Sequence, residues 1–338
     1  MRSRFKPTAE QRATVRAHLA QLLRPGAALE ILRPFLPAHF KPAEACLTVQ
    51  SVHPDRFVVR AQVREQSGGE ISYALKAYSD DFGARVWAFA QTLAPHSSPN
   101  QDEFCLPLAY LADARVLIFP WVDGKFLSEI VDEEKPGLLR RAAWLAAELH
   151  RLRLVPEELT TAQMFTEEAR ARCDRLRSRW PETVDLVGPL TAALEEALPF
   201  LDPAEPAPIH GDMAAGQFLV AGGQLVLLDF DMFGYTDPAY DAGHFLAQLE
   251  RRCLLDLTVR ARAREWLGAF RDTYLAAMPN VSPRNISFYR GLTLARKIYT
   301  ICRRQPVEGP RLAPQLAQRA RAALAEVMSP GFAQASGG

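Results

Sequence analysis

His210-Gly211-Asp212-Met213-Ala214-Ala215-Gly216-Gln217, followed twelve residues later by Asp229-Phe230-Asp231, is the stretch that decides the fold. Between the two halves lie apolar runs on either side of Ala221-Gly222-Gly223, a hairpin signal. With a three-residue loop, Val220 pairs with Gln224, Gln217 falls opposite Leu227, and Asp229 lies diagonally on the same face. A carboxylate and an amide carbonyl then converge on one spot. Such a pair suits a hard cation such as Mg²⁺, which prefers oxygen ligands and shares them with phosphates. Asp212, on the loop before the hairpin, reaches the same space.

Reading outward, Thr8 to Leu23 predicts a helix, with a Thr-Ala-Glu start and apolar spacing through Val15, Leu19 and Leu22. Leu47–Val52, Phe57–Glu65 and Ile71–Tyr78 are β-rich runs divided by the turns His53-Pro54-Asp55-Arg56 and Ser67-Gly68-Gly69, a three-strand meander. A helix over Asp81–Leu93 and strands near Leu106–Leu111 and Arg115–Phe119 follow, and Pro120-Trp121-Val122-Asp123-Gly124 breaks the pattern. Beyond it the chain reads as helical: Leu138, Ala142, Leu145 and Leu149 form one stripe, and further helices are expected over Thr166–Arg179, Leu190–Leu198 and from Ala242 onward. The expected organisation is an α+β chain: a β-rich N-lobe over 1–119, a hinge over 120–124 and a helical C-lobe over 125–332. A disordered tail is expected over 333–338.

The run HGDMAAGQFLV…LVLLDFDMFGYTDPAYDAGHF resembles the aminoglycoside phosphotransferase family of small-molecule kinases, relatives of choline kinases and protein kinases. The family pattern is HGD, four residues, Asn, a hairpin, then Asp-Phe or Asp-Phe-Asp. The resemblance is specific over about thirty residues and diffuse beyond them. It implies a bilobal protein-kinase-like fold and transfer of a phosphoryl group from Mg²⁺-bound ATP, with GTP as an alternative, to a small-molecule hydroxyl. Such transfer needs in-line positioning, charge neutralisation and an acid residue to orient the hydroxyl and take its proton. By this resemblance Asp212 is the base and Gln217 and Asp229 are the metal ligands, with His210, Asp231 and Asp241 in supporting roles. Lys76, in Ala74-Leu75-Lys76, matches the strand lysine that meets nucleotide phosphates. In Leu117–Gly124, which resembles the adenine hinge, Pro120 offers its carbonyl and Val122 its N–H. His150 is expected to be structural.

Three departures stand out. Gln217 replaces the family's Asn; it carries the same carbonyl on a longer chain. His53-Pro54-Asp55-Arg56 stands where a glycine-rich loop would cover the phosphates, with Arg56 as a substitute charge. No glutamate occurs in Asp81–Leu93 to pair with Lys76. These departures sustain an alternative: a nucleotide-binding regulator without catalysis. Chance matches to HGD and DFD are disfavoured by their joint spacing.

The net charge of +1 hides an asymmetry: from Arg251 onward there are 15 Lys or Arg against 5 Asp or Glu, while the preceding residues hold 25 and 34. Either the two parts complement each other, or the arginines form solvated helix faces, or the basic part helps hold an anionic substrate. Polycationic acceptors call for an acidic lobe, so a sugar-like acceptor, neutral or anionic, is expected. Arg296, Lys297, Arg303 and Arg304 are candidates to contact it. Five dispersed cysteines form no metal-ligand spacing and argue for reduced thiols in the cytosol. The basic start Met1–Pro7 lacks the apolar run of a signal peptide, and no apolar run approaches membrane-span length. Neither nucleic acid nor membrane is an expected partner.

Overall fold

The computed structural model describes residues 8–96, 102–154 and 158–329; the basic start and the 333–338 tail lie outside them. The chain divides into two compact units, Arg2–Gly124 and Lys125–Gly338.

The first unit begins with α1 (Ala9–Leu22) and α2 (Ala27–Leu32). Thr8 caps α1: its hydroxyl accepts from the Gln11 N–H while Gln11 returns a bond to the Thr8 N–H. Then come β1 (Pro42–His53), β2 (Arg56–Glu65), β3 (Glu70–Tyr78), α3 (Phe82–Leu93), β4 (Glu103–Phe104), β5 (Ala109–Leu111) and β6 (Val116–Pro120). An antiparallel sheet runs in the order β1-β2-β3-β6-β5. Strand alternation explains its core. Phe57, Val59, Ala61 and Val63 of β2 and Tyr73, Leu75 and Ala77 of β3 all point inward, where Val15 and Leu22 of α1 and Leu32 of α2 cover them.

The second unit opens with β7 (Lys125–Phe126), then α4 (Lys135–Arg151), α5 (Ala162–Arg179) and α6 (Val184–Ala197). A run of short strands follows: β8 (Ala207–Ile209), β9 (Phe218–Ala221), β10 (Gln224–Leu227) and β11 (Gly234–Thr236). Four helices complete it: α7 (Ala239–Leu255), α8 (Ala263–Ala277), α9 (Pro283–Arg304) and α10 (Gly309–Met328). The expected α4 stripe is buried, and Trp266, Phe270 and Tyr274 of α8 are fully enclosed as well. Tyr274 meets α4 directly, through His150. Among the described residues no helix is long and apolar enough to cross a membrane.

The hairpin differs from the sequence reading. Ala221 pairs with Gln224 and Phe218 with Leu227, so the loop has two residues, not three. Gly222 and Gly223 both adopt positive φ, +56° and +84°, which is what a tight hairpin of this kind requires. Ala221 therefore belongs to β9. The register moves by one, and Gln217 lies in the short turn before the strand, facing Leu228 rather than Leu227.

Candidate active site

The second unit builds its site from three pieces of chain. The first is the loop His210–Gly216, which leaves β8. The second is the segment after β10, and the third is the start of α7. Asp241, fully buried in the first turn of α7, ties the first piece in place. Its Oδ2 accepts the His210 N–H at 2.6 Å and its Oδ1 the Gly211 N–H at 2.9 Å. A third bond comes from His150 Nε2 at 3.2 Å, and His150 in turn meets the Tyr274 hydroxyl at 2.7 Å. Burial alone would raise the pKa of Asp241, but the bond and charge of His150 and the His210 N–H hold it below the usual carboxylate range. His150 thus braces the brace, a structural role as expected from its sequence.

His210 joins the first piece to the second. The Asp212 N–H donates to its Nδ1 at 3.3 Å, so Nδ1 is the acceptor and Nε2 carries the proton. That proton goes to the Leu228 carbonyl at 2.7 Å. Gly211, between them, has φ +81°, and a β-carbon there would stand 1.9 Å from the Met232 carbonyl oxygen. The His-Gly-Asp loop and the Asp-Phe-Asp turn therefore touch backbone to backbone.

Asp229 leaves strand geometry altogether, with φ +63° and ψ 68°. Among the described residues only Arg115 shares a positive φ without being glycine. The conformation costs roughly 1–2 kcal/mol and is the kind of strain that gathers at functional sites. It frees the carboxylate from strand alternation. Gln217 lies close by, because its carbonyl accepts the Leu228 N–H at 2.7 Å, one residue before Asp229. One carboxylate and one amide oxygen are hard donors of the type Mg²⁺ takes alongside phosphate oxygens. No group of three His, Cys, Asp or Glu side chains able to hold a metal ion exists among the described residues. A shared site completed by phosphates does not need one. Asp231 is buried in the same turn.

The Asp212 side chain is 29% exposed, and its Oδ1 lies 3.3 Å from His244 Nε2. His244 had no signal of its own in the sequence: it stands three residues after Asp241 on α7, and only the packing of that helix shows its role. Burial lowers its pKa to about 4, against the opposing pull of Asp212, with Lys297 and Arg296 lowering it further. It therefore stays uncharged above that pH and stands beside Asp212 as a neutral polar neighbour. Because the folded pKa lies below the unfolded value near 6.5, the unfolded chain binds the extra proton between the two. Stability is thus expected to fall, by the order of a few kcal/mol, as pH drops from about 6.5 towards 4. His244→Gln should flatten that part of a urea-midpoint-versus-pH curve; an unchanged slope would remove His244 from the account.

The four basic candidates are not one cluster. Arg296 is buried, donating to the Tyr240 hydroxyl at 3.1 Å and pairing with Glu168 at 3.1 Å, so its charge is engaged inside the protein. Lys297 is half-buried and near enough to His244 to lower its pKa. Arg303 and Arg304 are exposed at the far end of α9.

In the first unit, Lys76 is only 8% exposed on β3, a central strand, which rules out a solvated edge position. Burial pushes the Cys105 thiol up to about 12, aided by Glu103 and opposed by Lys76. Both charges therefore act on one thiol. Arg56 pairs with Asp55 at 3.2 Å, in a turn closed by the His53–Arg56 pairing. Pro120 ends β6 opposite Tyr73; Val122 follows it, half-buried, beside Trp121, whose ring carries Arg60 at 4.6 Å.

A family model described as "Phosphotransferase enzyme family" matches residues 88–289. Solved structures agree on the fold. A putative aminoglycoside phosphotransferase from Ralstonia eutropha JMP134 aligns at 14% identity and TM-score 0.63, over 88% of this chain and 98% of its own. Amicoumacin kinase hAmiN, in complex with AMP-PNP, Ca²⁺ and Ami, aligns at 14% and 0.58, over 91% and 96%. A choline/ethanolamine kinase family protein from Mesorhizobium loti aligns at 15% and 0.54, over 94% and 96%. No curated protein matches the sequence. With more than half of its length inside the family model, the chain belongs to the phosphotransferase enzyme family.

Proposed function

We propose that the chain moves the γ-phosphoryl group of ATP, with GTP as the alternative nucleotide, to a hydroxyl of a small sugar-like molecule, neutral or anionic. The observation that carries this reading is Asp212. It is a partly exposed carboxylate on a loop fixed through backbone bonds to buried Asp241, with a neutral imidazole at its side. Asp212 orients the acceptor hydroxyl and takes its proton as the oxygen attacks. Gln217 and Asp229 would hold Mg²⁺, which when bound neutralises charge on the phosphates. Lys76 contacts the nucleotide phosphates, and the Pro120 carbonyl and Val122 N–H take the adenine edge. His210 and Asp241 keep the loop in place, and Asp231 supports the turn that carries Asp229.

The direct test is nucleotide consumption with Mg²⁺ against a panel of sugars, sugar acids, amino alcohols and nucleosides. Turnover confined to cationic acceptors would sink the acceptor class, and no turnover with any acceptor would sink the reaction. Asp229→Ala is expected to raise the Mg²⁺ concentration needed for half-maximal nucleotide binding by about tenfold or more, the scale of one lost charge-assisted contact. Thermal-shift titration reads this directly, and an unmoved midpoint would take Asp229 out of the metal site.

One feature supports a second reading, nucleotide binding without transfer. The turn between β1 and β2 closes on Pro54-Asp55 with Arg56 already held by Asp55, which leaves less positive charge for phosphate. The panel separates the two, since a pure binder shifts in melting temperature with Mg-ATP and consumes none.

A further inference from the structure

Beside the Ala214–Gly216 stretch of the catalytic loop, and wholly within the second unit, lies a pocket of about 400 Å³. Its other wall is the C-terminal half of α7, with Gln248, Arg251, Arg252 and Asp256. A chain of contacts leads to it from Asp212. Asp212 meets His244, His244 Nε2 lies 3.3 Å from Gln248 Nε2, and Arg251 Nε donates to Gln248 Oε1 at 3.3 Å. Residues 244, 248 and 251 stand on one helical stripe, so the line from the base to the arginine runs about 10 Å along α7.

The charges in the pocket are out of balance. Arg252 reaches Asp256 at 3.7 Å, yet its buried Nε has no hydrogen-bond partner. Arg251 is half-buried and has no ion pair among the described residues; the charge that acts on it is that of Arg304, another cation. Burial and Arg304 both press its pKa down. Arg251 and Arg252 bring two guanidinium groups to a pocket lining that holds a single carboxylate, Asp256, and an anion bound there offsets the excess positive charge. Guanidinium is also the side chain whose fork geometry fits phosphate and carboxylate.

We propose that this pocket binds an anionic group, phosphate or carboxylate, of the acceptor whose hydroxyl is presented to Asp212, with Arg251 as the principal contact and Arg252 beside it. This rests on Asp212 as the base. It narrows the acceptor to monosaccharide-sized molecules with a hydroxyl at one end and an anion at the other. It also gives the basic C-terminal part a local purpose, through Arg251 and Arg252 rather than Arg296.

Two measurements test the pocket and the chemistry separately. In the first, inorganic phosphate or acetate is titrated calorimetrically into the full chain saturated with Mg²⁺ and a non-hydrolysable ATP analogue. Wild type should show saturable binding of at least one of the two, and which one binds identifies the anion. Arg251→Ala and Arg251→Glu, with melting temperatures matched to wild type, should weaken it at least tenfold. Binding that is absent in wild type, or unchanged in both variants, overturns the pocket. In the second, acceptors are compared in matched pairs, each sugar with its phosphate and its acid. The anionic member should have at least a tenfold higher kcat/KM, and Arg251→Ala should erase that advantage through KM. Equal rates for neutral members overturn the proposal. Persistent Arg251-dependent anion binding with no transfer to any acceptor would instead defeat the phosphotransfer reading and leave the pocket standing.

Discussion

Asp212→Asn is expected to lower phosphoryl transfer by roughly 10²–10⁴-fold, the usual worth of a positioned general base, while nucleotide affinity changes less than about threefold. The asymmetry follows from where Asp212 sits. Its N–H holds His210 Nδ1, a backbone bond that asparagine keeps, so the loop retains its shape. Its side chain is 29% exposed and meets His244, within reach of an acceptor hydroxyl. Asparagine keeps size and one carbonyl oxygen but has no basic lone pair of comparable strength. The loss should therefore fall on kcat, with the acceptor KM nearly unchanged. Asp229→Ala should show the opposite order, with nucleotide and metal binding failing first. Steady-state kinetics and a Mg-ATP thermal shift on both variants check the pair. Full turnover by Asp212→Asn would remove it as the base and take the acceptor geometry built on it down as well.

What the sequence made legible, and what it did not, follows from how local each signal is. His-Gly-Asp and Asp-Phe-Asp announce themselves because phosphoryl transfer needs few residue types at fixed spacing. The change from β-rich to helical periodicity is a similarly local signal, read over many residues rather than at one. The hairpin register was misread by one residue because Ala221-Gly222-Gly223 reads as a single loop. Only the positive φ values of both glycines show that Ala221 stays in the strand. His244 was invisible, since a histidine on an apolar helix face is ordinarily core, and its meaning comes from the loop that packs over it. The arginines divided for a related reason. Arg296 faces inward, where Glu168 and Tyr240 await it, while Arg251 on another helix faces the pocket. Charge counted along the chain cannot tell these apart. Lys76 shows the reverse case: a lysine in a strand is usually solvated, and here it is buried on a central strand.

Gly211→Ala is expected to be the most damaging single-methyl change in the second unit, and Gly222→Ala supplies its control. Both glycines have positive φ, +81° and +56°, so a β-carbon at either meets the left-handed penalty of roughly 1–2 kcal/mol. They differ in what the methyl would touch. At Gly222 nothing lies within 4 Å, so the penalty stands alone. At Gly211 the methyl would lie 1.9 Å from the Met232 carbonyl oxygen and 2.7 Å from its carbon. Those are backbone atoms, which no rotamer change moves aside. Relief requires the Phe230–Met232 turn to shift away from the His210–Gly216 loop. That shift would disturb the short bond from His210 to Leu228 and carry Asp229 with it. The added cost is expected to exceed 3 kcal/mol, as for other overpacked interiors at their worst, which lowers the melting temperature by about 6–12 °C in a unit of this size. Gly222→Ala should carry only the left-handed penalty, about 1–2 kcal/mol, and keep its transfer rate. Gly211→Ala should lose transfer even at temperatures where it is still folded, because the loop of Asp212 and the turn of Asp229, the proposed base and metal ligand, no longer meet at the same distance. If the two variants melt together and turn over alike, the backbone contact between the loops does not set the geometry of the site.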